Sequence, residues 1–154
     1  YKISPIQISK NEDSNDYLII FENELLINFP EDKKYKKIYY VLLDNENRSL
    51  KLSTKVTDFK NSLIKSQLNE IKYDVELLDG NGLTNVTKIH KSFDVKYPSI
   101  GENFAFLKRL VKKNNLNINY IVRKEDEFCW KFSNKGYFNF KSNIPKILNQ
   151  FKLN

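Results

Sequence analysis

The sequence predicts an α+β domain with a mostly antiparallel sheet, and three observations carry that expectation. Short apolar runs in the N-terminal third are separated by Asn, Asp and Glu clusters, as in a meander of hairpins. Three later segments carry apolar residues at three- to five-residue spacing, the period of a helix face. The chain has 154 residues and 18.3 kDa, enough for one hydrophobic core, so residues 1–154 read as a single domain.

Taken in order, Ile3, Ile6 and Ile8 sit around Pro5 ahead of an acidic loop from Asn11 to Asp16. Tyr17 to Phe21 and Leu25 to Phe29 form two strands around a Glu22-Asn23-Glu24 turn. Ile38 to Leu43 and Leu50 to Ser53 flank Asp44-Asn45-Glu46-Asn47, where side-chain bonds to the local backbone favour a turn. Val56, Phe59, Leu63, Ile64, Leu68 and Ile71 then mark a helix over 57–71 with Thr57 as N-cap. A strand from Tyr73 to Leu78 meets Asp79-Gly80-Asn81-Gly82, read as a hairpin turn into a strand over Val86–Val95. Ser99-Ile100-Gly101-Glu102 has the spacing of a capping box, and a helix over 100–114 follows, ended by Asn114-Asn115. Ile118 to Val122 is a strand and Glu125-Asp126-Glu127 a polar turn. Phe128, Trp130 and Phe132 alternate with Cys129 and Lys131, which predicts a strand paired through Ser133–Gly136 with Tyr137–Phe140. A helix over 144–152, capped by Asn143 with Pro145 in its first turn, closes the chain.

Composition excludes several classes. One cysteine and one histidine leave neither a disulfide framework nor a Cys- or His-rich metal centre within the chain, so no cofactor or metal is expected. Nothing approaches the run of roughly 18 apolar residues that a membrane span needs. No basic start followed by an apolar core marks a signal peptide, which favours an intracellular setting. The chain begins at Tyr1 and has no methionine, so either an initiator was removed or this is a piece of a longer chain. Lysine outnumbers arginine 23 to 3 and asparagine reaches 20, a bias that AT-rich coding produces without functional selection.

Charge is nonetheless unevenly placed. Residues 1–50 carry seven basic and nine acidic groups, residues 51–100 eight and six, and residues 101–154 eleven and four. The last third therefore holds an excess equal to the whole net charge of +7, together with ten of the 21 aromatic residues. Such asymmetry marks an anion-facing surface. The strand alternation turns Phe128, Trp130, Phe132, Phe138 and Phe140 into the core. Outward Lys131, Tyr137 and Lys141 then join Lys108, Arg109, Lys112 and Lys113 on the preceding helix as the expected binding residues. The scarcity of arginine argues against specific base readout.

A second constellation is Asp74, or Asp79 where turn geometry is the better explanation, followed by Asp94-Val95-Lys96, with Asp94 and Lys96 on one strand face. This order weakly resembles the PD-(D/E)xK nuclease superfamily over residues 57–122. The resemblance implies that Asp74 and Asp94 would hold a divalent metal while Lys96 stabilises an attacking water. His90 beside Ser92 and Asp94 on one strand makes no catalytic triad, and Cys129 reads as a semi-buried thiol. Three functions follow. The first is a non-enzymatic binding module that contacts nucleic acid or another polyanion. The second is a structural, protein-interaction subunit of a larger (phage or viral) assembly, and the third is a small metal-dependent nuclease.

Overall fold

Among the described residues five strands form one sheet, and every neighbouring pair in it is parallel. They are β1 (Tyr17–Phe21), β2 (Lys37–Val41), β3 (Val75–Leu78), β4 (Ser92–Lys96) and β5 (Asn117–Ile121), in the order β3-β2-β1-β4-β5. The computed structural model describes residues 15–24, 35–69, 73–133 and 136–152. Five helices accompany the strands among these residues: α1 (Thr54–Leu68), α2 (Gly80–Ile89), α3 (Glu102–Asn114), α4 (Lys124–Ser133) and α5 (Tyr137–Phe151). The fold class is α/β, which corrects the predicted antiparallel α+β sheet with three helices.

The physical reason lies in the strands themselves. Leu18, Ile19, Ile20 and Phe21 are all buried, as are Ile38 to Leu43, so both faces of β1 and β2 are covered. Strands covered on both faces read as continuous apolar runs, whereas a hairpin meander with one wet face alternates. On one face Ile19, Phe21, Tyr39, Val41, Phe93 and Val95 pack with Leu83 of α2 and with Phe106, Leu107 and Leu110 of α3. On the other face Leu18, Ile20, Ile38 and Tyr40 pack with Tyr35 and with Ile64 of α1.

Local expectations divide accordingly. Ser53, not Thr57, caps α1, accepting the Val56 amide at 3.4 Å, and the helix starts three residues before the predicted 57–71 span. Leu50 to Ser53 is not a strand. The expected hairpin turn at Asp79 instead starts α2: the Asp79 carboxylate accepts the Gly82 amide at 2.7 Å as an N-cap. A Cβ on Gly80 would lie 2.5 Å from Asn47 Cγ, so close approach to the β2–α1 loop requires glycine there. Only the last part of the predicted 86–95 strand survives, as β4.

The capping box is absent as well. Gly101, at φ 146°, caps α3 without a side-chain bond, and Glu102 turns away to a loop described below. Asn115 does end α3, in the left-handed conformation at φ 53°. The expected strands Leu25–Phe29 and Ile3–Ile8 and most of the acidic loop from Asn11 lie outside the described residues.

The described residues fall into two compact units, one within 8–121 and one from Val122 onward. The second is a pair of helices where two strands and a short helix were expected. Phe128 and Phe132 lie one turn apart on α4 with ring centroids at 5.4 Å, and Phe128 meets Phe151 of α5 at 5.5 Å. Glu125, Asp126 and Glu127, predicted to be a turn, form the first turn of α4, where negative charge complements the exposed amides. The helix predicted over 144–152 begins at Tyr137, so Pro145 lies in its interior and offers no amide to the Lys141 carbonyl. Among the described residues no helix is long and apolar enough to cross a membrane.

Candidate functional site

In open parallel sheets, ligands bind beyond the carboxyl ends of the strands where the strand order reverses, here between β1 and β4. The chain ties that rim to itself. Glu22, directly after β1, is buried, and its carboxylate accepts the Leu43 amide at 2.9 Å, the Lys60 ammonium at 2.8 Å and the Arg48 guanidinium. Arg48 Nε in turn donates to the Leu43 carbonyl at 2.9 Å. Across the crevice, the Glu102 carboxylate accepts the Ser49 and Leu50 amides at 3.2 Å each, and these hold it below the usual carboxylate range. Asn103 Nδ2 reaches Asn23 Oδ1 at 3.2 Å. The β2–α1 loop is thus pinned over the rim. No glycine-rich loop follows β1 to cradle a phosphate.

The Asp74, Asp94 and Lys96 set is not brought together. Asp94 and Lys96 are both buried on β4, on the sheet face that packs against α1. Asp74 precedes β3 and lies beside Lys37. Strands β2 and β1 stand between β3 and β4, which amounts to three steps of about 4.8 Å, or roughly 14 Å. One metal ion cannot bridge that gap, and no cluster of metal-binding side chains occurs among the described residues.

Asp94 is instead the centre of a buried polar network. Its Oδ1 accepts Asn15 Nδ2 at 3.1 Å and Asn119 Nδ2 at 2.9 Å, and its Oδ2 accepts the Tyr35 hydroxyl at 3.0 Å. Burial and then the adjacent Asp94 carboxylate push the Tyr35 phenol far above its ordinary range. Three donors on one carboxylate tie the approaches to β1 and β2 to β4 and β5, a structural cross-brace.

His90 is the C-cap of α2 and not a strand residue, and its ring lies 4.0 Å from that of Tyr17. Both line a cavity of about 400 Å³ at the amino ends of β1 and β4, with Asn15, Asp16, Ile89, Lys91 and Ser92. That edge is opposite the strand-order switch. Its one carboxylate, Asp16, pairs with Lys36 at 2.7 Å. Cys129 is a half-buried free thiol on α4.

The predicted basic residues fare differently. Lys108, Arg109, Lys112 and Lys113 are all exposed on α3. The pairs 108/112 and 109/113 are one turn apart, placing like charges about 5–6 Å from each other. Lys108 lies over the Phe104 ring at 5.4 Å and Arg109 over the Phe106 ring at 5.6 Å, so the aromatics act as an underlay and not as a stacking surface. None of the four has an ion pair among the described residues. No acidic residue occurs between Glu102 and Glu125. Lys131, Tyr137 and Lys141 belong to the second unit, on helices in place of the expected strands: Tyr137 and Lys141 share the exposed side of α5, and Lys131 lies over the Phe128 ring of α4.

Residues that sequence reasoning missed are Glu22, Arg48, Lys60, Tyr35, Asn15 and Asn119. A charged residue directly after an apolar run, as Glu22 follows Phe21, was the available signal for the rim. Compared with protein-family models, with curated proteins and with solved structures, the chain gives no significant match.

Proposed function

We propose that the protein is a non-enzymatic binding module whose α3 face contacts the phosphates of a nucleic acid. One observation carries this reading: four cations occupy two successive turns of one exposed helix face, with no acidic side chain paired to them among the described residues. Elsewhere in the same unit Lys36, Lys37, Arg48 and Lys60 are each engaged by a carboxylate, and exposed lysines without one among the described residues, such as Lys55 and Lys65, stand apart and not as a group of four. Like charges one turn apart repel, so the arrangement disfavours the free helix and favours one with an anion laid across it.

The type of contact follows from the side chains. Three of the four groups are ammonium ions, which act as point charges without the paired donors of base readout. Phe106 beneath Arg109 is buried and Phe104 beneath Lys108 is half-buried against Tyr97 and Tyr120, so this face offers no open ring for base stacking. Binding is therefore to the backbone, independent of sequence and weakened by salt. Fluorescence anisotropy with labelled single- and double-stranded DNA and RNA, at low and near-physiological salt, tests it. Salt-sensitive binding lost on substituting the four cations supports the reading, and absence of binding at low salt removes it.

A further inference from the structure

We propose that the exposed apolar flank of α5 docks on the surface of an anionic lipid bilayer. This stands on the unit from Val122 onward and does not depend on the reading of α3. Helix α5 buries Ile147 and turns Phe128 of α4 toward Phe151, so its inward side is settled by its own hairpin. The flank beside that inward side is apolar and exposed: Tyr137 is 68% exposed, Phe138 83%, and Ile144 and Leu148 39% each. At 100° per residue, Ile144, Tyr137 and Leu148 fall within one narrow arc. Lys141 comes next on the wheel, then Pro145 and Phe138, and Lys152 follows the helix as its left-handed C-cap.

Charge selects the partner. No acidic residue occurs from Phe128 to Asn154, while that stretch holds five lysines. The hairpin's three acids sit in the first turn of α4, the end that meets Phe151, away from Tyr137 and Phe138. Lys131 and Lys146 rest over the rings of Phe128 and Phe132. Lys141 has no ion pair or hydrogen bond among the described residues.

A helix of 15 residues, about 22 Å long, with exposed aromatic and aliphatic side chains flanked by lysines, has the form of an interfacial helix. Its rings enter the headgroup–acyl boundary while the lysine stems extend back to the phosphates. Single-stranded bases can stack on Phe138 and Tyr137, but the aliphatic Ile144 and Leu148 beside them gain little from a base, so lipid fits the whole face better than nucleic acid does.

The test is flotation of the full chain at about 150 mM salt with vesicles of phosphatidylcholine alone or with 30% phosphatidylserine. The expected result is flotation with the anionic vesicles only. Lys141→Ala should weaken it about fivefold, and Tyr137→Ser with Phe138→Ser roughly tenfold or more. Those two rings are exposed, so their loss leaves the hairpin packing intact. A variant with all four α3 cations replaced by alanine should keep the ring dependence. Three outcomes would overturn the proposal: no flotation with either vesicle, equal flotation with both, or flotation abolished by the α3 substitutions and indifferent to Tyr137 and Phe138. The last would mean that lipid merely substitutes for nucleic acid at α3.

Discussion

Salt dependence gives the sharpest test of the α3 reading, because the number of cations fixes the expected slope. Each phosphate neutralised on duplex DNA contributes about −0.9 to the slope of log K against log salt. If Lys108, Arg109, Lys112 and Lys113 each meet one phosphate, the slope is about −3.6, and affinity falls roughly 150-fold between 50 and 200 mM salt. Replacing Lys112 and Lys113 by alanine should halve the slope to about −1.8 and reduce that fall to roughly 12-fold. The control is Lys55→Ala with Lys65→Ala on α1, whose residues are exposed and whose helix covers the opposite sheet face. It removes the same net charge and should leave the slope near −3.6. Lys112 and Lys113 also lie in the last turn of α3, where cations stabilise the helix by about 0.3–1 kcal/mol each, so circular dichroism must show both variants folded. Equal slopes for the two double variants would refute the assignment. They would show that net charge, and not this face, governs binding.

Three further outcomes follow from the buried network and the loop caps. Glu22→Gln removes the counter-charge from Arg48, whose side chain is 6% exposed, and should cost about 3–5 kcal/mol in urea unfolding; a loss below about 1 kcal/mol would show that the cluster is relaxed in solution. Asp94→Ala removes the acceptor of three hydrogen bonds, from Tyr35, Asn15 and Asn119, and should cost about 3 kcal/mol or more, while magnesium leaves the melting temperature of both forms unchanged; stabilisation of the parent chain alone by magnesium would mean that a metal does bind at Asp94. Burial works to raise the Asp44 carboxyl, but bonds from Asn47, Gly80 and Glu46 outweigh it and hold the group below its ordinary value. A depressed folded-state value stabilises fully above the unfolded value near 3.8 and is lost as pH falls through the folded one. Unfolding midpoints measured from pH 5 downward should therefore drop, and Asp44→Asn should flatten that drop.

Element positions were legible where local chemistry decides them, and pairing was not. Tyr17–Phe21 and Asn117–Ile121 lie within a residue of the expected spans, and α3 within two, because the apolar period and the Asn115 stop are local, even though the capping box did not form. Strand direction depends on what joins the strands. Asp79-Gly80-Asn81-Gly82 has the composition of a hairpin turn, yet Asp79 is equally an N-cap, and Gly80 is required by the nearby Asn47 side chain, which sequence spacing does not display. Once 80–89 is a helix, β3 and β4 are joined by a helical crossover, and a strand–helix–strand order predicts a parallel sheet. The unbroken apolar runs in β1 and β2 pointed the same way. The aromatic alternation from Phe128 to Phe132 misled for a related reason: residues four apart share a helix face as readily as a strand face, and only the acidic first turn at Glu125–Glu127 distinguishes them.

The same distinction governs what could be read of the site. The exposure of the α3 cations was recoverable because it follows from the spacing of Phe104, Leu107, Leu110 and Val111 on that helix alone, although Phe106 is buried there too. Asp94 and Lys96 share a strand face as expected, but whether a carboxylate is a ligand or a brace depends on what other strands bring to it. Asn119 arrives opposite Asp94 by β4–β5 register, and Tyr35 and Asn15 by the order of β1 and β2 around β4. Glu22 shows the converse. It lies at the strand-order switch, where open α/β sheets usually receive ligands, and there it meets Arg48 and Lys60 from the β2–α1 loop and α1. An internal carboxylate that already holds two cations and an amide has few lone pairs left for a ligand. Exposed lysines without a carboxylate partner among the described residues occur elsewhere, Lys55 and Lys65 on α1 among them, but α3 gathers four such cations on two turns and α5 sets Lys141 beside exposed apolar side chains, and binding should be sought there.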